Sequence, residues 1–495
     1  MGIHDVSMYS VIHRNVRFFG HRVALRSGSD AISYKDLLHK LDALAVGLRA
    51  LGLRTGERVA VLARNSLEFV YLYGAAARVG AIVLPVNWRL SQDEMEYVLT
   101  DGSPAVLFLD PEFHDSAGTL ITRLGIPTVS LGAANDLIAK HETDESSGFS
   151  QDDRSVIIHT AAVHGRPRGA VITHHGLLLN ALNLQRLWNL GQNDVNLAML
   201  PLFHVAGILM ILAVMMEGGS SVITAGFDVD QALSNIEDFS ATVFFEFPPM
   251  LSSLLDKAQT DRRDLASLRH VLGIDHPDTV KRFQEVTGAT FWAAYGQSET
   301  SGLTTIGSYS ERPGSAGRPL QLVDLEVVDE SGNVLEPGRS GEIVVRGPQV
   351  FKGYWNLEED TLRTFRDGWH HTGDLGRLDE DGYLWFEGRA LEKELIKTGG
   401  ENVYPSEVEN VVRQHPLVKD VAVIGVPDSQ WGEAIKAVCV LEPGSWLSEA
   451  DLIDFVAGKI ARFKKPRYVV YVDELPRNAS GCVDRNKVRE GFGNL

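Results

Sequence analysis

The pattern that most restricts this chain is a repeated switch between short apolar runs and segments with helical spacing. YKDLLHKLDALAVGLRALGL, from Tyr34 to Leu53, sets Leu37, Leu38, Leu41, Leu44 and Leu48 along one helical face and reaches Gly52, where a glycine suits a helix end. ERVAVLA then reads as a strand, SLEFVYLYGAAARVG as a helix and AIVLPVN as a further strand. A repeat of this kind implies a parallel sheet covered by helices, an α/β fold. The rhythm returns after Leu177, with strands expected at SSVITA from Ser220 and ATVFFEF from Ala241. ILMILAVMMEGG, from Ile208, is too short to cross a bilayer and reads as a buried helix.

Near Val323 the texture changes. LVDLEVVDE, GEIVVRG and YLWFEG alternate apolar and polar residues and are broken by SGN, EPG and DEDG turns, as in a small antiparallel sheet or barrel. After GRALEKELIKTGG come a helix at VYPSEVENVVRQH, strands at KDVAVIGVP and KAVCVLEP, and a helix at ADLIDFVAGKIARF. A chain of 495 residues exceeds a single core. The expected division is a large N-terminal domain of parallel βαβ sheets at 1–390, with 323–388 as its β-rich, barrel-like subdomain. A small mobile α+β domain follows at 391–495, and Arg389 to Gly400 is the natural hinge.

The net charge of −18 argues against nucleic acid as a partner and leaves room for a small anionic ligand. Cys439 and Cys482, the two cysteines, offer neither a disulfide framework nor zinc spacing, so a reducing compartment is expected. MGIHDVSMYSVIHRN has no apolar signal-peptide core, and position 6 is not the hydroxyl residue that myristoylation prefers. A cytoplasmic protein without a transmembrane segment is the resulting expectation.

HTAAVHGRPRGAVITHHG, from His159, packs glycines, a proline and arginines between an apolar run and a helical segment. Alone it reads as a phosphate loop or as a solvated surface turn, and it is not a Walker loop. YGQSETSG offers an aromatic face at Tyr295, a hydroxyl at Ser298 and, at Glu299, a carboxylate suited to Mg²⁺. GWHHTGDLG sets Asp374 on what reads as a tight turn, where a carboxylate can take ribose hydroxyls. Gly388 and Arg389 add a cation near the hinge. Each stretch by itself is equally a turn with incidental polar residues.

Together, PLFHVAG, YGQSE, GEIVVRGPQVFKGYW, DGWHHTGD and GGENVYPSEVE resemble the adenylate-forming acyl-CoA synthetases, the AMP-binding acyl- and aryl-CoA ligases, from near Val86 to near Pro476. The resemblance implies ATP, Mg²⁺ and coenzyme A as cofactors and a small carboxylic acid as substrate; a homodimer is compatible with it. It assigns the phosphate loop to Thr160, His164, Gly165, Arg166, Arg168 and Gly169, and the adenine side to Gly273, Asp275, Tyr295, Gly296 and Gln297. Ser298 is then expected at the α-phosphate or acyl carboxylate, Glu299 at Mg²⁺, Asp374 and Arg389 at the ribose, and Gly399 and Gly400 on the thioester-forming face. His204, Phe245, Phe247 and Gly296 are expected to line the acyl site. His204, Ser298, Glu299, Arg389 and Cys482 occupy the family's catalytic positions.

The departures are specific. TAAVHGRPRG replaces a loop that in the family looks like T-S-G-T-T-G-x-P-K-G, so hydroxyls worth on the order of 1 kcal/mol each are lost and Arg168 stands for lysine. GIDHP replaces G-G-A-P, and GRALEKELIKTGG leaves Glu394 or Glu392 as the hinge carboxylate. Cys482 stands where P-x-x-x-x-G-K carries a lysine, and a thiol is no substitute for a long ammonium. Either adenylation is slowed while thioester formation survives, or another cation, Lys487 or Arg168, takes over. Phe244, Phe245 and Phe247 suit a pocket for a medium-chain fatty, aryl or arylpropenoic acid, or an ordinary core. Glu246 is then either solvated on the opposite face or a polar determinant of the substrate. The functional expectation is an ATP-dependent acyl-CoA synthetase releasing AMP and pyrophosphate. The alternatives are an adenylation-impaired nucleotide-binding homologue and a ligase that loads a separate carrier protein.

Overall fold

Local chemistry sets the helix boundaries in the first third. In the computed structural model, which describes residues 6–140, 153–160, 167–389, 395–399, 401–428, 430–477 and 483–493, the Ser33 side chain caps helix Tyr34–Ala50 by accepting from the Asp36 N–H. The helix closes at Leu51, and Gly52 follows it with φ 88°. Leu37, Leu41, Leu44 and Leu48 are fully buried, while Leu38 packs at the margin. Ser66 caps Leu67–Val79 in the same way, and Gly80 ends it.

Two large sheets carry the N-terminal domain. One has six strands in the order Thr128–Ser130, Val106–Leu109, Arg58–Leu62, Ile82–Val86, Arg154–Thr160, Arg168–Thr173, all parallel until the last pair, which is antiparallel. The other has nine, in the order Arg318–Pro319, Thr305–Ser308, Thr290–Tyr295, His270–Gly273, Val243–Glu246, Val195–Ala198, Ser220–Ile223, Val23–Ser27, Asp30–Ser33. Its centre is parallel and its edges antiparallel. Helices Tyr34–Ala50, Leu67–Val79, His174–Trp188 and Val205–Met215 share one core with inward residues of both sheets, among them Val59, Val83, Ile223 and Val243. Val205–Met215 is apolar on all sides because it is covered on all sides, as its sequence predicts. Among the described residues no helix is long and apolar enough to cross a membrane.

The β-rich unit is a five-stranded antiparallel sheet ordered Asp324–Val328, Gly341–Arg346, Trp369–Leu378, Phe365–Arg366, with Leu384–Arg389 also paired to Trp369–Leu378. This corrects the expectation that Asp374 sits on a tight turn. Gly368 lies in the turn before it, but Gly373 and Gly376 lie within a strand that pairs on both sides, and register shifts, rather than a chain reversal, accommodate them.

The small C-terminal domain has its own sheet, ordered Glu401–Val403, Ile396–Thr398, Gly432–Leu441, Val418–Asp428, with Tyr468–Tyr471 parallel to Gly432–Leu441. The helix expected at ADLIDFVAGKIARF ends at Gly458, and Arg462–Lys464 forms a separate 3₁₀ turn. The expected boundary at residue 390 and the hinge carboxylates Glu392 and Glu394 lie outside the described residues.

That turn joins the two domains. Ser91 and Glu94 form a capping box on helix Gln92–Gly102. The same Glu94 carboxylate lies 2.5 Å from the Lys464 ammonium, which also lies 2.9 Å from Glu407. All three are nearly buried. Burial raises the Glu94 carboxyl but Lys464 outweighs it, so the group is held low, whereas burial prevails at Glu407 and raises it. Lys464→Ala is expected to cost about 3–5 kcal/mol, since it strands two carboxylates without a counter-charge. A thermal unfolding midpoint equal to that of the wild type would contradict this.

Candidate functional site

The phosphate-loop segment is held from both ends. Strands Arg154–Thr160 and Arg168–Thr173 pair antiparallel with Thr160 opposite Arg168; His164, Gly165 and Arg166 lie outside the described residues. His159 Nε2 lies 2.9 Å from Asp101 Oδ2, and Trp355 Nε1 donates to the Asp101 carbonyl at 3.1 Å. The hairpin is thereby pinned to the end of helix Gln92–Gly102.

Beside it, three segments meet on one carboxylate. The Tyr354 hydroxyl donates to Glu299 Oε1 at 2.9 Å, and the Thr160 hydroxyl reaches the same oxygen at 3.5 Å. The Arg168 guanidinium lies 4.0 Å from the centre of the Tyr354 ring. Burial first, and then the adjacent Glu299 charge, raise the Tyr354 hydroxyl, so it remains a donor at neutral pH.

Tyr295 ends the strand Thr290–Tyr295, and its hydroxyl donates to Asp374 Oδ2 at 2.8 Å. Its ring stacks on Phe386, with centroids 5.9 Å apart. Gln297 Nε2 donates both to Asp374 and, at 3.2 Å, to the Thr372 carbonyl. Gly296 has no room for a side chain, since a Cβ would sit 1.9 Å from the Gly302 carbonyl oxygen. Half-buried Ser298 begins the turn Ser298–Thr300, in which Glu299 and Thr300 are buried. The backbone of Arg389 pairs with Asp374 across adjacent strands.

The side on which the acyl group was expected is built by both domains. His204 precedes helix Val205–Met215, and its Nε2 lies 3.3 Å from Glu401 Oε1, on the hairpin formed by Ile396–Thr398 and Glu401–Val403. Gly399, with φ 56°, lies in that hairpin's turn; Gly400 is outside the described residues. Arg89 makes an ion pair with the same Glu401 oxygen. Burial alone would raise the Glu401 carboxyl, but His204 and then Arg89 outweigh it and hold the group down at about 2. Arg89 also lies over Trp88, and both residues line a groove of about 1260 Å³ between the domains, with Lys459, Arg462 and Phe463 opposite.

Phe245 and Phe247 are half-buried and pack together, with centroids 5.2 Å apart. Phe244 is core. Glu246 is fully buried at the end of its strand beside Gly273, which excludes the solvated reading. Asp275 is half-buried in the loop after Gly273. Cys482 lies outside the described residues; Arg477 and Arg485 beside it pair with Asp420 and Glu409 of the same small domain. Arg89 and Tyr354 escaped the sequence assignment although both lie inside matched stretches, VNWRLSQ and VFKGYW. Their signal was a charge beside Trp88 and a hydroxyl between Gly353 and Trp355, which local spacing alone does not rank.

Comparison with known proteins finds the AMP-binding enzyme model over residues 12–355 and the AMP-binding enzyme C-terminal domain model over 407–481. A feruloyl-CoA synthase of Amycolatopsis is 36% identical, with 97% of this chain and 98% of that protein covered. An indoleacetate–CoA ligase of Aromatoleum aromaticum is 34% identical over 95% of each. A solved o-succinylbenzoate CoA synthetase of Bacillus subtilis, a double mutant bound with a product analogue, superposes with a TM-score of 0.87 at 29% identity, covering 97% of this chain and 98% of that one.

The low Glu401 carboxyl sets a pH window. A depressed folded value contributes stability above the ordinary carboxylate range, near 4.3, and that contribution is lost as pH falls through about 2. Glu401→Gln is expected to weaken domain docking by about 1–2 kcal/mol at pH 7, a figure reduced because Arg89 is one-third exposed, with the difference shrinking as pH falls below the ordinary carboxylate range and vanishing only below about 2. Hydrogen exchange of the Ile396–Val403 hairpin at several pH values measures it; equal protection in variant and wild type at pH 7 would contradict it.

Proposed function

The chain belongs to the AMP-binding family of adenylate-forming acyl- and aryl-CoA ligases, and from that premise we propose that it activates an aromatic or fatty carboxylic acid with ATP and transfers it to coenzyme A. The acid's carboxylate attacks the α-phosphorus of ATP, giving an acyl-adenylate and pyrophosphate. The thiol sulfur then attacks the acyl carbon, and the C–O bond to AMP breaks. The observation that carries this reading is the meeting of Thr160, Tyr354 and Arg168 around Glu299, one strand end from Tyr295 and Asp374.

In this reading Thr160 and Arg168 hold phosphate oxygens, Tyr295 and Gln297 border the base, Ser298 faces the reacting oxygens, and Asp374 takes the ribose hydroxyls with Arg389. The buried oxygens around Glu299 are hard donors that fit Mg²⁺, an ion that uses one or two protein carboxylates with phosphate oxygens and would neutralise phosphate charge there. These groups act by placement and charge, so the protein supplies little covalent chemistry.

Coenzyme A fits the groove between the domains. Arg89, Lys459 and Arg462 offer cations for its phosphates, Trp88 and Phe463 offer faces for its base, and Arg89 leads to Glu401 and His204. The docking of Glu401 on His204 supports a thioester-forming arrangement of the domains, and the small domain is proposed to rotate to serve adenylation.

A second reading, that adenylation is impaired, is favoured by one residue, Cys482 in place of lysine. Two measurements separate the readings. Purified protein incubated with Mg·ATP and a panel of fatty and aromatic acids is expected to yield acyl-CoA and AMP by mass spectrometry when coenzyme A is present; absence of both products with every acid would overturn the ligase reading. Cys482→Lys is expected to accelerate single-turnover adenylate formation by about tenfold or more, while thioester formation from supplied acyl-adenylate stays unchanged. An unchanged adenylation rate would show that another cation already does this work.

A further inference from the structure

The floor of the site is made by the carboxyl ends of parallel strands, the usual place for a ligand in an open α/β sheet. Strand Val195–Ala198, on the His204 side, neighbours Val243–Glu246, which neighbours His270–Gly273, which neighbours Thr290–Tyr295. Glu246 pairs with Gly273 and Gly273 with Ala293, so Glu246 stands two strand spacings, roughly 10 Å, from the strand that ends at Tyr295. An aryl acid whose carboxylate lies near Ser298 spans that distance.

Glu246 is a conspicuous residue for such a floor. It is completely buried, and neither carboxyl oxygen has a hydrogen-bond partner among the described residues; the Leu251 N–H offsets its burial slightly without reaching hydrogen-bond geometry. Its Oε1 occupies the space that a Cβ on Gly273 would need, at 2.1 Å, so the absence of a side chain at 273 is what admits the carboxyl. Close by, the loop after Gly273 brings in Asp275, whose Oδ2 is likewise buried and without a partner, while its Oδ1 accepts from the His276 N–H. Phe245 and Phe247, half-buried and packed on each other, flank Glu246 in the chain, and exposed Ile274 lies between Gly273 and Asp275.

We propose that Glu246 and Asp275 form a buried acceptor pair that selects carboxylic acids carrying an O–H or N–H donor at the end remote from the carboxylate. This rests on the ligase reading above. A buried acceptor that meets its donor only in the complex penalises a substrate without that donor, which leaves the acceptor unsatisfied. Burial, and then the nearby Asp275 charge, raise the Glu246 carboxyl; burial also raises Asp275, against the His276 N–H, the Thr279 hydroxyl and the His276 ring. Both carboxyls are thus held toward their neutral forms, in which an oxygen can turn toward a donor at modest electrostatic cost.

The test uses acid pairs that differ only in the donor, 4-hydroxycinnamic against cinnamic acid and 4-hydroxyphenylacetic against phenylacetic acid. Both kcat/KM and calorimetric affinity are read for the full-length wild type, Glu246→Leu and Asp275→Asn. The wild type is expected to prefer the hydroxylated acid by about tenfold or more, and Glu246→Leu to bring the ratio near one. Glu246→Leu should fold, since it removes an unsatisfied buried carboxyl; a folded value raised above the unfolded one withdraws stability as pH climbs, so the variant should gain melting temperature at pH 8 and gain less at pH 5. A wild type without preference, or a preference that survives Glu246→Leu, overturns the proposal. Failure of the ligase reading is seen separately, as binding with the predicted ratio but no AMP from any acid; binding of no acid in either pair overturns the proposal itself.

Discussion

A layer of helices with no face to give to water dictates this architecture. Val205–Met215 is apolar around its whole circumference, and with Tyr34–Ala50, Leu67–Val79 and His174–Trp188 it can be satisfied only between two sheets. Fixing both sheets on one shared layer fixes their strand ends as well. Those strand ends, with Glu246 and Tyr295, and the loops after them, with His204 and Asp275, therefore gather at one edge of the sheet, and the hairpin of Thr160 and Arg168 approaches from the other sheet. The chemistry is assembled from residues far apart in sequence because the core leaves their strands few other places to end.

The second dependence is electrostatic. Buried charges in this molecule come in sets that bind one segment to another: Glu94 and Glu407 on Lys464, Glu401 on Arg89 and His204, Glu299 on Tyr354 and Thr160. Each set would be costly if broken and contributes modestly when whole, so its main effect is to specify an arrangement rather than to add stability. Glu94 shows the economy of this design, since one carboxylate caps a helix and holds the other domain.

Much of this was legible in the sequence. The period of Leu37, Leu41, Leu44 and Leu48 gave a helix, and the motifs around Tyr295, Glu299 and Thr160 pointed to groups that the fold brings together. What was misread has physical causes. GWHHTGDLG is dense in glycine and reads as a turn, yet pairing on both edges holds it as a strand. For the glutamate between phenylalanines the sequence left two alternatives, a wet face or a polar determinant of the substrate; a parallel sheet covered by helices has no wet face, so Glu246 is buried and the first alternative falls. Arg89 and Lys464 act across a domain boundary, a relation that neither periodicity nor local spacing encodes.

In the proposed function an acid is joined to AMP before it meets a thiol. The direct measurement is isotopic: supply an accepted acid with both carboxylate oxygens as ¹⁸O, together with Mg·ATP and coenzyme A, and weigh the products. Attack on the α-phosphorus predicts one ¹⁸O in AMP and one in the acyl-CoA. Label in orthophosphate or ADP, with unlabelled AMP, would mean that the acid is activated at a different phosphorus and would contradict the mechanism assigned to this site.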